Sequence, residues 1–105
     1  MADIILLLTT WPDELSARKT AAILLNKNLA ACVNILPKML SMYKWDGEIQ
    51  TETEHQMLLK TTADRTQKLK QAILDNHPYE CPEVLILSVT GGSEEYLNWI
   101  TGNTK

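Results

Sequence analysis

The pair Asp46-Gly47 constrains the fold more than any other short stretch of the chain. It lies between two runs that mix apolar, aromatic and polar residues, and Asp-Gly in that setting is the strongest local signal for a two-residue hairpin turn. Both turn positions need a positive φ, which glycine adopts freely. With these residues as the loop, Trp45 faces Glu48, and the register of every pair behind them is determined.

The predicted cross-strand pairs are Tyr43–Gln50, Ser41–Glu52, Met39–Glu54, Lys44–Ile49, Met42–Thr51, Leu40–Thr53 and Lys38–His55. Apolar and polar side chains share both faces of this ribbon, so neither face is clearly solvent or clearly core. No strong breaker interrupts residues 48–62, so the ribbon runs roughly 15 residues each way, against a usual strand of ~5–6. Because a small domain cannot cover such a ribbon and an open edge invites aggregation, we expect other copies of the chain to cover it.

The remaining patterns predict strands and helices on either side of the ribbon. They are a buried strand at 4–8, a helix that starts within 9–14 under a threonine cap and ends at 26–28, a strand at 29–36 with a bulge or kink at Pro37, a helix from 63 to 76–77, a buried strand at 84–89, and a last helix capped by Ser93. The apolar run at 4–8 does not alternate, which indicates a strand buried on both faces. The strand at 29–36 has Ala31, Val33 and Ile35 on one face and Cys32 on the other. A 3.6-residue period indicates helices, and Pro37 removes a ladder donor.

This order predicts an α+β fold, a ferredoxin-like split βαβ sandwich with a long hairpin between its second and third strands and a C-terminal helix. The prediction places one domain over residues 1–105. Right-handed crossovers put both main helices on one face of an antiparallel sheet. The other face, the ribbon and the aromatic last helix then form apolar surface, which favours a homo-oligomer.

Composition limits the classes of binding partner and the cellular compartment that we expect for this protein. The 105 residues carry a net charge of -3 with scattered Lys and Arg, which argues against nucleic acid or a membrane as the main partner. Cys32 and Cys81 are too few for a disulfide scaffold, no secretion signal precedes them, and the apolar run at 4–8 is too short to span a bilayer. We therefore expect a cytoplasmic protein with free thiols.

No motif of an enzyme is present. The chain has no nucleophile motif, no phosphate-binding glycine loop and no zinc spacing. Gly91-Gly92 before the last helix could bind an anion, but Glu94 and Glu95 would repel it, so a simple turn is favoured. The sequence predicts that this protein is not an enzyme.

A proline-braced loop holds the best candidate metal ligands, His77, Glu80 and Cys81, with Glu83 beside them. Imidazole and thiolate suit copper and zinc. The alternative is a stiff connector in which Cys81 packs as a small hydrophobe, and it is favoured because the spacing matches no fixed metal signature. Cys32 and His55 would add ligands only if the fold or an adjacent subunit brings them close.

Acidic residues at spacing two form a second candidate site on the ribbon. They are Glu48, Glu52 and Glu54, and they share a face with Tyr43 and Trp45. Such a row can coordinate hard cations or pair with a basic ligand. The alternative is a solvated face, although the neighbouring aromatic rings indicate a cleft.

Six segments resemble one known family: TTWPD at 9–13, LAACVN at 29–34, YKWDGE at 43–48, MLLKTT at 57–62, HPYECPE at 77–83 and YLNW at 96–99. In this order, over nearly the whole chain, they resemble the CutA divalent-cation tolerance proteins. The resemblance implies a tight homotrimer built by the long ribbons, with clefts between subunits and an architecture shared with PII signalling proteins. It also implies a link to copper and other divalent cations, and it implies no reaction.

The resemblance also points to particular residues. Matching family positions in the intersubunit cleft are Trp45, Glu48, Glu54, Lys60, Tyr79 and Glu83. Some members are described with copper ligands from a cysteine near the end of the first strand and from a His-His pair before Pro-Tyr. Here those positions are Thr9 and Asn76-His77, so only His77 carries over, and we expect Glu80 and Cys81 to compensate.

Three functions remain as hypotheses. The first is a homotrimeric divalent-cation tolerance protein that binds copper or another divalent cation weakly. The second is a PII-like trimeric sensor or scaffold that binds a small ligand or a partner in its clefts. The third, an enzyme that uses the cleft carboxylates, ranks last because it would need a carboxyl with a raised pKa beside a substrate.

Overall fold

The computed structural model describes residues 3–105, so the first two residues of the predicted domain lie outside it. Within this range the elements are strands β1 (Ile4–Trp11), β2 (Cys32–Ile35), β3 (Met39–Trp45), β4 (Glu48–Thr62) and β5 (Leu85–Ser88), and helices α1 (Glu14–Asn26), α2 (Thr66–Asn76) and α3 (Glu94–Gly102). A 3₁₀ turn, Ala63–Arg65, precedes α2. The predicted order is confirmed with two differences. The strand predicted at 29–36 begins only at Cys32, and its continuation into the ribbon after Pro37 is a separate strand, β3.

The five strands form an antiparallel sheet in the order β2-β4-β1-β5, and β3 continues beside β4 beyond β2. Helices α1 and α2 pack on one face, where Leu24 and Leu69 are fully buried against Leu7 and Leu59. Helix α3 contacts β4 and β1. The predicted α+β, ferredoxin-like fold is confirmed.

The two-residue turn at Asp46-Gly47 sets the register of the hairpin. Asp46 has a φ of 52° and Gly47 a φ of 79°, and the seven pairs from Trp45–Glu48 to Met39–Glu54 are as predicted. Behind them, three residues of one strand, 36–38, face two of the other, 55–56, between the β2 and β3 ladders. This is the predicted bulge at Pro37, which has no N–H to donate.

The bulge changes the pairing behind the hairpin. The predicted pair Lys38–His55 is wrong, because the extra residue ends the β3 ladder at Met39. His55 instead pairs with Trp11 of β1, and its Nδ1 donates to the carbonyl of Leu36 at 3.0 Å.

Strand β1 is longer than predicted. It continues to Trp11 because the long β4 supplies ladder partners for three further residues, ending at the Trp11–His55 pair. The predicted threonine cap of α1 is therefore wrong. Asp13 caps the helix, and its carboxylate accepts a hydrogen bond from the backbone N–H of Ser16 at 2.7 Å.

Strand β5 is exposed, whereas the sequence predicts a buried strand at 84–89. The exposed fractions of Leu85, Ile86 and Leu87 are 54%, 45% and 44%. The strand pairs only with β1 and forms the edge of the sheet, so its outer side has no neighbour within residues 3–105. A strand made only of apolar residues is typical of a buried strand. No element within the described residues covers the outer side of β5.

Candidate functional site

His77 uses both ring nitrogens in hydrogen bonds. Its Nε2 donates to the carbonyl of Thr10 at 2.6 Å, and its Nδ1 accepts from the backbone N–H of Tyr79 at 3.1 Å. The ring also packs on Trp11, with 4.1 Å between centroids, and on the ring of Tyr79 at 4.8 Å. Because one nitrogen donates and the other accepts, this arrangement requires the neutral imidazole.

The surroundings of His77 favour the same state. Burial lowers the pKa of His77 below its usual value, while the Thr10 carbonyl and the carboxylate of Glu54 oppose this shift more weakly. The imidazole is therefore neutral at neutral pH. A neutral ring is also the form that binds metals, provided that a nitrogen lone pair is free.

Tyr79 joins the same loop to the acidic face of the ribbon. Its phenol donates to Oε2 of Glu54 at 3.0 Å, and Glu54 is only 7% exposed. Burial, and then this hydrogen bond, raise the pKa of Tyr79 well above its usual value. The interaction with Glu52 raises the pKa of the more exposed Tyr43. Of the predicted acidic row, Glu54 is hydrogen-bonded to a tyrosine.

A second contact anchors the far end of the loop. The side-chain amide of Gln56 donates both to the carbonyl of Thr9 at 2.9 Å and to Oε2 of Glu83 at 3.0 Å. The loop that spans residues 77–83 is thus held at its first residue by β1 and at its last by β4. Glu80 and Cys81 lie between these anchors and are exposed.

The loop offers the right ligand types, but they are not assembled around one point. Imidazole, thiol and carboxylate are donors suited to copper or zinc. However, both nitrogens of His77 are engaged, and within residues 3–105 no three His, Cys, Asp or Glu side chains converge on a shared position. Metal ligation by His77, Glu80 and Cys81 stays a prediction.

The six predicted cleft residues fall into three places. Around the loop lie Tyr79, Glu54 and, through Gln56, Glu83. Trp45 and Glu48 face each other at the tip of the ribbon. Lys60 lies farther along β4, where its Nζ is 3.3 Å from the hydroxyl of Tyr96 in α3. One chain therefore does not bring all six together.

An open cleft of about 580 Å³ lies where the ribbon meets the end of β1 and the loop. Its lining residues are Pro12, Leu40, Thr51, Glu52, Thr53 and Tyr79. The wall thus combines apolar surface with one carboxylate and one phenol. Of the six predicted cleft residues, Tyr79 alone lines it.

Sequence reasoning missed Trp11 and Gln56. Trp11 is fully buried and packs against His77, whereas the sequence places it in the start of a helix, and the sequence predicts no role for Gln56. No local signal identifies Trp11, because residues 4–8 are apolar at every position and Thr9 and Thr10 are both polar. Gln56 carries no local signal either.

These features define the class of the protein: a small ferredoxin-like α+β protein with an extended hairpin and a loop of metal-binding residue types beside it. The family model described as "CutA1 divalent ion tolerance protein" matches residues 5–103. The chain belongs to the CutA family of divalent-cation tolerance proteins.

Individual relatives agree with this assignment. The divalent-cation tolerance protein CutA of Citrobacter koseri is 42% identical over 101 residues, which cover 96% of this chain and 88% of the relative. The solved structure of the divalent cation tolerance protein of Thermus thermophilus is 41% identical, with a TM-score of 0.94 over 97% of this chain and 99% of that one. A periplasmic CutA from Archaeoglobus fulgidus is 30% identical, with a TM-score of 0.93 over 97% and 99%.

Proposed function

We propose that this protein acts in divalent-cation tolerance as a cytoplasmic homotrimer that binds copper or another divalent cation weakly and catalyses no reaction. The observation that carries the role is the family match over residues 5–103. None of the helices described within residues 3–105 has the length and apolar character of a membrane-spanning segment. Cys32 and Cys81 are both free thiols, which suits a reducing compartment, although the Archaeoglobus fulgidus relative is named as periplasmic.

Exposed apolar side chains support the self-association. On the ribbon, Leu40, Met42 and Ile49 are 64%, 65% and 68% exposed, and the apolar β5 lies at the edge of the sheet. Full burial of each such side chain contributes about 1.5–3 kcal/mol. The ribbon and β5 are different surfaces, so we propose that the ribbon of one copy contacts β5 of the next and that three such heterologous contacts close into a ring.

Mass measurement tests the assembly. By native mass spectrometry and analytical ultracentrifugation at micromolar concentration, we expect a species of about three times the 11.9 kDa chain mass. A monomer or a dimer under these conditions would contradict the homotrimer.

The cation is assigned to the loop 77–83, with His77, Glu80 and Cys81 as ligands. Anaerobic titration with copper should be saturable, and His77→Ala should weaken binding by at least about tenfold, because loss of a supporting group alone costs that much at metal sites. His55→Ala is the matched control, since His55 lies on β4 and is bonded to Leu36 rather than placed in the loop. Superimposable isotherms for wild type and His77→Ala would remove His77 from the site.

A further inference from the structure

Glu54 is a buried carboxylate without a positive partner among the described residues. It is 7% exposed, and the ion pair that forms within residues 3–105 joins Arg18 and Glu14 instead. In the same range Glu54 accepts one hydrogen bond, from the phenol of Tyr79 at 3.0 Å. A glutamate is rarely this buried unless its charge is paired, because removing a charge from water is costly. The chain itself therefore leaves this negative charge uncompensated.

A second carboxylate lies beside the first. Glu52 is two residues earlier in β4, so both side chains leave the same face of the ribbon. Two phenols respond to both charges. Glu52, and more weakly Glu54, raise the pKa of Tyr43, while burial, followed by Glu54 and Glu52, raises the pKa of Tyr79. These four side chains, Tyr43, Glu52, Glu54 and Tyr79, form one cluster, the acidic corner.

The acidic corner borders the open cleft beside the ribbon. Glu52 and Tyr79 both line this cleft, and Glu54 is bonded to the phenol of Tyr79. The rest of the lining is uncharged, with apolar surface from Pro12 and Leu40 and two threonines. The volume of about 580 Å³ is within the range of small-molecule sites. An occupant therefore meets negative charge together with apolar surface.

We propose that the open cleft binds a small organic cation, an aliphatic ammonium compound, whose charge pairs with Glu52 and Glu54 and whose hydrocarbon part packs on Pro12 and Leu40. An ammonium group brings three N–H donors and the positive charge that Glu54 lacks. Because Glu54 is already removed from water in the folded chain, pairing it adds little further desolvation cost.

Two observations favour an organic cation over a metal ion in this cleft. Hard metal ions require several oxygen ligands, whereas no three His, Cys, Asp or Glu side chains converge within residues 3–105. The apolar part of the lining stabilises only a ligand that has hydrocarbon surface to bury. This inference goes beyond the proposed role in divalent-cation tolerance and uses none of the proposed metal ligands.

The test is an NMR titration of the isotope-labelled full chain with butylammonium chloride. Butanol is the control ligand, because it has the same hydrocarbon length and no charge. Wild type is compared with Glu52→Gln and Glu54→Gln, which keep the shape of the side chain and remove its charge. Glu95→Gln is the matched control variant, since it removes one negative charge from an exposed position in α3, outside the cleft.

We expect saturable shifts with butylammonium at the amides of residues 51–54 and of Tyr79, and none with butanol. Glu52→Gln and Glu54→Gln should each raise the Kd about tenfold, because each removes a charged hydrogen-bond partner of the ammonium group. Glu95→Gln should change the Kd by less than about twofold, because a distant exposed charge is screened by salt.

The proposal is overturned if butylammonium gives no saturable shifts in wild type, or if butanol binds equally well. A wild-type Kd in both Glu52→Gln and Glu54→Gln, or equal weakening by Glu95→Gln, would also overturn it, because the charge of the acidic corner would then not be responsible. Magnesium chloride at matched ionic strength should leave these amides unshifted, and the same shifts with magnesium would show a metal site instead. If Glu54→Gln does not fold, the exposed Glu52→Gln decides alone.

Discussion

Two fully buried threonines, Thr9 and Thr61, have side-chain oxygens without a hydrogen-bond partner among the described residues. A buried hydroxyl that lacks a partner keeps its full desolvation penalty. Valine has the same shape and favours strands. The hydroxyl groups at these two positions therefore lower the stability of the fold, whereas the methyl group of a valine would not.

Thr9→Val should raise the free energy of unfolding by about 1 kcal/mol, because it removes the unpaired hydroxyl without changing the packing. The control is Thr62→Val, whose hydroxyl donates to Asp64 and whose loss should instead destabilise by about 1 kcal/mol. Urea unfolding at one chain concentration measures both. A Thr9→Val variant that loses stability would show that the hydroxyl finds a partner.

The lowered pKa of His77 predicts that the free energy of unfolding depends on pH. Burial lowers its pKa in the folded state below the unfolded value of about 6.5, so the unfolded chain binds more protons in this range. The stabilisation of the folded state that results from this lowered pKa is complete above about pH 6.5. It is lost as the pH falls through the pKa of His77 in the folded state.

Unfolding free energies measured with a chelator should therefore fall on acidification below about pH 6.5 in wild type and fall less steeply in His77→Gln. Parallel curves for wild type and His77→Gln would contradict a lowered pKa in the folded state.

At the scale of elements, the hairpin turn depends on backbone conformation alone. An added Cβ would meet nothing within 4 Å at Gly47 or at Gly91, but only Gly47 has a positive φ, 79°. Both positions have room for a side chain, so a difference between substitutions at Gly47 and Gly91 reports the conformational strain at Gly47 alone.

Gly47→Ala should destabilise the protein by about 1–2 kcal/mol, since an L-residue pays that cost in the left-handed region. Gly91→Ala should change stability by less than about 0.5 kcal/mol. Thermal and urea unfolding measure the difference, and equal effects of the two substitutions would show that the turn tolerates a side chain.

Local signals predicted several element ends correctly. Asn28 adopts a φ of 58° at the end of α1, and Ser93 caps α3 by accepting from the N–H of Tyr96 at 3.2 Å. Both signals depend on one or two residues. The end of β1 could not be found this way, because its extension to Trp11 depends on the length of β4, a partner distant in sequence.

At the scale of the whole molecule, apolar exposure separates ordinary surface from the proposed interface. Leu40 on β3 and Leu15 on α1 are nearly equally exposed, at 64% and 65%. Leu40, however, lies on the ribbon with other exposed apolar residues, whereas Leu15 lies on the outer side of a helix whose other face packs on the sheet. Only Leu40 belongs to the surface proposed to associate.

Leu40→Lys should therefore dissociate the proposed trimer or lower its stability, because a charge would be buried without a partner. Leu15→Lys should leave the mass unchanged. Analytical ultracentrifugation over a dilution series distinguishes the two. If Leu40→Lys retains the wild-type mass at every concentration, the ribbon is not the assembly surface.

Local patterns were enough to predict the fold class, the hairpin register and the bulge, because turn chemistry, a missing N–H and hydrophobic period act within a few residues. They also singled out the loop with His77. What that residue can do depends on contacts that form only in the folded chain. Thr10 and His77 are 67 positions apart, and Glu54 and Tyr79 are 25 apart. Whether an imidazole nitrogen is free depends on such distant partners, and no local pattern encodes them.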